Sequence, residues 1–481
     1  MKAKPPENIQ KTTNPSTRGH WNEMNRKQRR EIMRKIQSED LSLEVVHPHA
    51  AGIDIGNESH YVAVPSTRDS QPVRRFGCTT VELKVMAEWL KQCGIRTVAM
   101  QSTGVYWIAV YDILEAAGLD VYLVNARDTK NLPGRKSDVQ ESQWLMKLHT
   151  YGLLRNSFRP SQEIRTIRTY WRQRNDLIRA AVSHIQRIQK VLTQMNIQLA
   201  NVLSDVSGVT GQAILKAILA GERDPHKLAA LRDPRVKASE EQIAQYLEGN
   251  WQEDLLFVLK QEQEGYEFCQ QQMAECDRQL EQYLQRRDDR TQGASLPKEM
   301  RKGRLVRKKG NKPAFDMRAA LFRITGTDLT QVDGIDVTTA ATILSEAGWD
   351  MSKWEDEDHF VSWLRLCPDN RISGNKVLGK GRLPTNNRAS IALRMAASTL
   401  RVSNTYLGAQ FRRFRSKLGA PVAIKAMGAK LARLVYRMLR YGMKYVDQGA
   451  KFYEAQHRER QIGQLKWKAA KLGFRVVEAA A

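Results

Sequence analysis

Residues 50–65 read AAGIDIGNESHYVAVP. The apolar run Ala51-Gly52-Ile53-Asp54-Ile55 turns at Gly56 and Asn57 and returns as the β-branched run Tyr61 to Val64, which is the pattern of a β-hairpin with Asp54 on its first strand. A strand with one face in water alternates polar and apolar residues. Here a single carboxylate stands between two isoleucines, so it is expected to be half-buried, where an unpaired charge is costly. A metal ion, a basic partner or a hydrogen-bonding ligand relieves that cost, and so do the amides of the turn.

Outward from the hairpin, strands alternate with helices up to about residue 150. The pattern predicts a strand near 73–78, a helix over 81–92, a strand over 97–100, a helix over 107–117, a strand over 121–126 and a helix over 137–151. Hairpin strands followed by βα units indicate helices packed on a mixed sheet. The strand Val98-Ala99-Met100 runs into Gln101-Ser102-Thr103-Gly104, so polar groups gather at a strand's carboxyl end, where sites form in open α/β sheets. In Arg135-Lys136-Ser137-Asp138-Val139-Gln140-Glu141, Ser137 is a natural N-cap and Asp138 and Glu141 share one face of the first helical turn. Two acids there answer the helix dipole. Together with Asp54 and the basic pair before them, they also suit divalent-metal phosphoryl transfer.

The net charge is +25 over 481 residues and is spread along the chain, so a polyanion is the expected partner, with nucleic acid the first expectation. No apolar run approaches the length of a membrane helix and the N-terminus lacks the apolar core of a secretion signal, so a cytoplasmic, nucleoid-associated location and no membrane partner are expected. The five cysteines are scattered, and they suggest neither a zinc site nor a disulfide framework.

Residues 1–48 read as a basic arm with a short helix over 25–37. After the α/β domain of 49–155, residues 156–290 read as a helical or coiled-coil module. One long amphipathic helix is expected over 160–205 and a second over 255–284, paired with each other or with a second subunit. A basic linker of 291–314 carries Arg304, Arg307, Lys308 and Lys309. In the domain of 315–450, Leu329 to Thr338 looks like a helix-hairpin-helix whose amides around Gly334 hold a phosphate. Arg371-Ile372-Ser373-Gly374-Asn375-Lys376 sets a hydroxyl in a glycine loop between two cations, which is also ordinary turn chemistry. Basic amphipathic helices are expected over 388–402 and 422–447, and residues 451–481 form a polar, basic tail.

Taken together, GIDIGNESHYVAV, VAMQSTGVYW, VNARDTKNLPGRKSDVQESQWL and WLRLCPDNRISGNKVLGKGR resemble the DEDD-type transposases of insertion sequences, which are related to the Piv-type DNA invertases. The resemblance spans most of residues 48–200 and 325–445, in order. It implies an N-terminal domain of RuvC-like, ribonuclease-H-type fold and an α-helical C-terminal domain that supplies a serine nucleophile. Residue by residue, the four metal positions fall on Asp54, Gln101, Asp138 and Glu141, and the serine on Ser373. Two of the four metal positions depart from the pattern, since Gln101 stands for Glu and Glu141 stands for Asp, and beside the serine Asn375 stands where the pattern usually has a second Gly.

The resemblance implies DNA strand cleavage and exchange with Mg2+ (or Mn2+) at Asp54, Asp138 and Glu141 and through a phosphoserine at Ser373. It also implies guidance by a structured RNA, and a dimer or tetramer in the synaptic complex. Arg135, Lys136, Arg304, Arg307, Lys308, Lys309, Gly334, Arg371 and Lys376 are the expected nucleic-acid contacts. The alternatives are a RuvC-like endonuclease that cuts branched DNA with water, and a catalytically inactive DNA- or RNA-binding relative.

Overall fold

In the computed structural model the opening hairpin is built from β1 (Ala50–Ile55) and β2 (Ser59–Ala63), paired antiparallel with Asp54 opposite Tyr61. The structure describes Met24 and residues 26–37, 43–102, 104–125, 137–298, 311–373, 376–381 and 387–477. These divide into one unit up to Arg159 and another from Pro160 onward.

In the first unit, β3 (Val73–Gly77) continues the antiparallel meander, while β4 (Thr97–Gln101) and β5 (Asp120–Val124) run parallel to β1 on its other side. The strand order is therefore β3-β2-β1-β4-β5. Helices cover both faces, which is why β1 is apolar on both sides. Ala51, Ile53 and Ile55 pack with Leu83, Met86 and Leu90 of α2 (Thr80–Gln92) and with Val110 and Leu114 of α3 (Trp107–Ala116). On the opposite face Ala99 and Val124 pack with Trp144, Leu145 and Leu148 of α4 (Asp138–Thr150).

The N-terminal helix α1 (Arg26–Gln37) differs from the solvated arm that its charge suggests. Its apolar edge, Ile32, Met33 and Ile36, joins the same cluster, with Ile36 buried. An arginine-rich face does not prevent docking when the other edge repeats apolar residues at three and four.

The second unit begins with an antiparallel pair of 33-residue helices, α5 (Gln162–Gln194) and, further along the chain, α10 (Glu253–Gln285). Polar contacts set their register: an Arg174–Asp277 ion pair at 2.5 Å, a His184–Glu262 hydrogen bond at 2.6 Å and, just past the end of α10, an Arg287–Glu163 ion pair at 2.9 Å. The single helix expected over 160–205 ends early. Asn196 takes a left-handed φ of 55°, and the Ile197 amide donates back to the Leu192 carbonyl at 2.8 Å, which closes the helix. Leu199 therefore belongs to the short helix α6 (Leu199–Val202). The pair is capped by α7 (Val209–Leu219), α8 (Pro225–Ala229) and α9 (Glu240–Leu247), whose Ile214, Ile218, Leu228 and Ile243 bury against Ile188, Leu192 and Leu259.

Beyond this pair come α11 (Met317–Thr325), α12 (Val337–Ala347) and α13 (Glu357–Trp363), then the hairpin β6 (Asp369–Ser373) and β7 (Lys376–Gly381). Four helices follow: α14 (Arg388–Thr399), α15 (Tyr406–Leu418), α16 (Ala420–Tyr441) and α17 (Ala450–Lys471). Three of these differ from the sequence pattern. α15 was not anticipated, although Thr405 caps it by accepting from the Gly408 amide. The helix expected over 422–447 stops at Tyr441, where Gly442 adopts a left-handed φ of 62°. The basic tail contains α17, which is docked on α15 through Tyr453 and Tyr406. Among the described residues no helix is long and apolar enough to cross a membrane.

Candidate active site

Asp54 owes its setting to Gly52, two residues earlier on the same face of β1. A Cβ on Gly52 would lie 2.3 Å from both the Ser142 carbonyl oxygen and the Met146 amide nitrogen, so α4 rests directly on the strand backbone. Asp54, roughly 6–7 Å further along the strand, then meets the first turn of α4. That turn starts at Ser137, whose hydroxyl accepts from the Gln140 amide at 3.4 Å, and it carries Asp138 and Glu141.

Gln101 arrives from the neighbouring parallel strand. Ile53 of β1 is in register with Met100 of β4, so Asp54 and Gln101 occupy the next step of the ladder at adjacent carboxyl ends. Gln101 is 5% exposed, and its Nε2 donates to Glu141 Oε1 at 2.5 Å. An ionised carboxylate only accepts hydrogen bonds, so it is the amide nitrogen that turns toward it, leaving the Gln101 carbonyl oxygen as a separate donor atom for a ligand.

Burial pushes the Asp54 carboxyl up to about 7, and the charges of Glu141 and then Asp138 push it in the same direction, against a backbone hydrogen bond from Ile55. Asp54 and Glu141 are half-buried, while Asp138 is exposed. Asp54, with two acids acting on it and an amide oxygen beside it, offers hard oxygen donors whose repulsion a divalent cation would relieve. Among the described residues, however, no three His, Cys, Asp or Glu side chains are drawn together as a finished ligand cluster.

Behind this edge lies a polar cluster that sequence reasoning missed. Thr97 Oγ1 donates to the Asp120 carbonyl at 3.0 Å, so its contact of 2.8 Å with His149 Nε2 is one in which the imidazole donates. His47 stacks on His149 at 4.5 Å and Tyr122 packs against it at 4.6 Å. Burial pushes the His149 imidazole down to about 3, with the neighbouring His47 adding to it, so His149 is a neutral bolt between α4 and the sheet. The only sequence signal was a histidine on the sheet-facing side of α4, one that any core histidine shares.

In the second unit, Ser373 is the last residue of β6, and its backbone is paired with that of Lys376, the first residue of β7; Arg371 lies two residues earlier, at an irregular step of the ladder. The expected glycine loop is therefore the tip of a hairpin, and Gly374 and Asn375 at that tip lie outside the described residues. Gly334 precedes α12 with a left-handed φ of 85°, and a Cβ there would lie 2.7 Å from the Ala396 carbonyl oxygen of α14. Close packing thus gives its own reason for a glycine. Arg135, Lys136, Arg304, Arg307, Lys308 and Lys309 also lie outside the described residues.

Two family models match the chain. Residues 51–197 match the DEDD-type model described as Transposase, and residues 326–412 match Transposase IS116/IS110/IS902 family. The chain belongs to the IS110-type DEDD transposases. It is a DNA transposase, and DNA is its partner. The first match contains all four acid or amide positions of the transposase and the second contains Gly334 and Ser373. No curated protein matches this transposase.

Proposed function

We propose that this transposase cuts and exchanges DNA strands through a phosphoserine at Ser373, with a divalent cation held by Asp54, Asp138 and Glu141 and by the Gln101 carbonyl oxygen. The observation that carries the reading is the meeting of Asp54, Gln101 and Glu141 at the carboxyl edge of parallel strands β1 and β4. The strand order β3-β2-β1-β4-β5 supports a RuvC-like, ribonuclease-H-type assignment for this domain.

Bound Mg2+ or Mn2+ supplies Lewis-acid polarisation of the phosphoryl oxygens. Within the chain, Ser373 Oγ attacks phosphorus as its proton leaves to a base, the bond to the departing DNA oxygen breaks, and the energy of that bond is kept in the serine ester for rejoining. Lys376, whose backbone is paired with that of Ser373, is the candidate base, and with Arg371 it also suits a phosphate. The amides around Gly334 and the basic stretches at Arg135-Lys136 and 304–309 are assigned to nucleic-acid backbone. A structured guide RNA and a multimeric synaptic complex complete the reading, to which the charge of +25 lends support.

The deciding experiment is denaturing electrophoresis of reactions on element-end DNA. A protein–DNA adduct is expected with the natural transposase and is expected to vanish in Ser373→Ala. Cleavage that persists without an adduct in Ser373→Ala establishes the water-using endonuclease instead. DNA or RNA binding with no cation-dependent cleavage establishes the inactive relative.

A further inference from the structure

Between α15 and α17 lies an open groove of about 350 Å³ whose walls carry Arg412, Arg413, His457 and Arg458 against a single acid, Glu454. Its floor is Tyr453, 7% exposed, with the Tyr406 ring edge-on at 4.9 Å and the His457 ring nearly parallel to it at 6.4 Å. Arg412 is already oriented, because its Nη1 donates to the Ser403 carbonyl at 2.6 Å. Arg413 and Arg458 have no carboxylate partner among the described residues. On neighbouring α16, by contrast, Arg433 is neutralised by Asp358 and Arg437 by Glu357. His457 Nε2 is buried and without a hydrogen-bond partner.

We infer that this groove is a binding site for the phosphodiester backbone of a nucleic acid, with Arg413 and Arg458 on phosphates. Uncompensated guanidinium groups in one concavity are repelled by one another, and a phosphate run removes that repulsion while releasing counterions from the nucleic acid. The anchored Arg412 and the packed aromatic floor reduce the ordering cost of binding. The groove lies outside both family-matched segments on its α17 side, so it adds to the contacts assigned above. The inference rests on the nucleic-acid chemistry of the proposed function.

The test uses the full-length transposase and measures fluorescence anisotropy with a mixed-sequence duplex DNA and a folded RNA hairpin across a series of salt concentrations. The comparison is between Arg413→Gln/Arg458→Gln and Lys466→Gln/Lys468→Gln, which removes the same charge from the far end of α17. The groove variant is expected to bind one of the two polymers several-fold more weakly and to flatten its plot of log K against log salt by about 1 per arginine, and more than the control does. The polymer whose slope changes identifies the strand that the groove holds. Equal slopes for the two variants, with binding intact in the natural protein, overturn the inference. Failure of the natural protein to bind either polymer overturns the nucleic-acid reading itself.

Discussion

Gln101 Nε2 donates to Glu141 Oε1 at 2.5 Å, so the two positions that depart from the four-acid pattern are in contact with each other. A neutral amide at 101 can donate to the longer acid at 141, whereas a second carboxylate there would repel it. The two departures are therefore coupled, and they leave a connected edge to the site.

Gln101→Glu tests this coupling. Without divalent cation at pH 8 the variant is expected to lose about 2 kcal/mol, because a charge-assisted hydrogen bond becomes a clash of like charges. Millimolar Mg2+ is expected to raise its unfolding midpoint more than it raises that of the natural protein. Shortening the acid as well, in Gln101→Glu/Glu141→Asp, is expected to recover stability. Additive losses in thermal melts with and without Mg2+ would refute the coupling.

The Asp54 carboxyl, pushed up to about 7, has a pH signature of known sign. Between the ordinary carboxylate range near 4 and about 7, the folded protein holds a proton that the unfolded chain has lost. This contribution to stability is complete below that window and fades as pH rises through it. Asp54→Asn cannot titrate and is expected to flatten the stability curve across pH 4–7, as read by urea unfolding with a chelator present. Parallel curves would mean that Asp54 ionises normally.

Gly52→Ala alters no acid, yet its methyl group would lie 2.3 Å from two backbone atoms of α4. Backbone has no rotamer to move aside, so the helix must shift, at a cost of about 3 kcal/mol or more. Strand cleavage is expected to fall with it, because the shift carries Asp138 and Glu141 away from Asp54. Circular dichroism melts and cleavage assays should move together. A stable, active Gly52→Ala would contradict the close approach.

Arg174 and Asp277 form an ion pair within the α5–α10 seam that is 2% and 6% exposed at the side chains. Arg174 also donates to the Asn311 carbonyl at 2.9 Å, and Asp277 accepts from the Ala314 amide at 3.0 Å, so the pair fastens the segment 311–314 to the helices. Arg174→Met leaves a buried carboxylate unpaired and is expected to destabilise by about 3–5 kcal/mol. Arg174→Met/Asp277→Leu is expected to recover part of that loss but not all, since two backbone groups stay without partners. Denaturant unfolding of both variants measures the difference.

Much of the first unit was legible because its signals are local. Alternating and continuous apolar runs mark β1, β2, β4 and β5, and Ser137 announces α4 together with its two acids. The register of α5 against α10, the end of α5 at Asn196, the docking of α1 and the packing of α17 on α15 were not legible. An apolar period says that a face will be buried but does not say against what, and a left-handed Asn leaves that period unbroken. The sequence by itself singled out Asp54, Gln101, Asp138, Glu141 and Ser373 as the candidates for the chemistry, and the tertiary structure alone decided that Gln101 bonds Glu141 and that α4 lies on Gly52. Those contacts join residues forty and ninety positions apart, and they form only when two elements pack close enough for the absence of one side chain to matter.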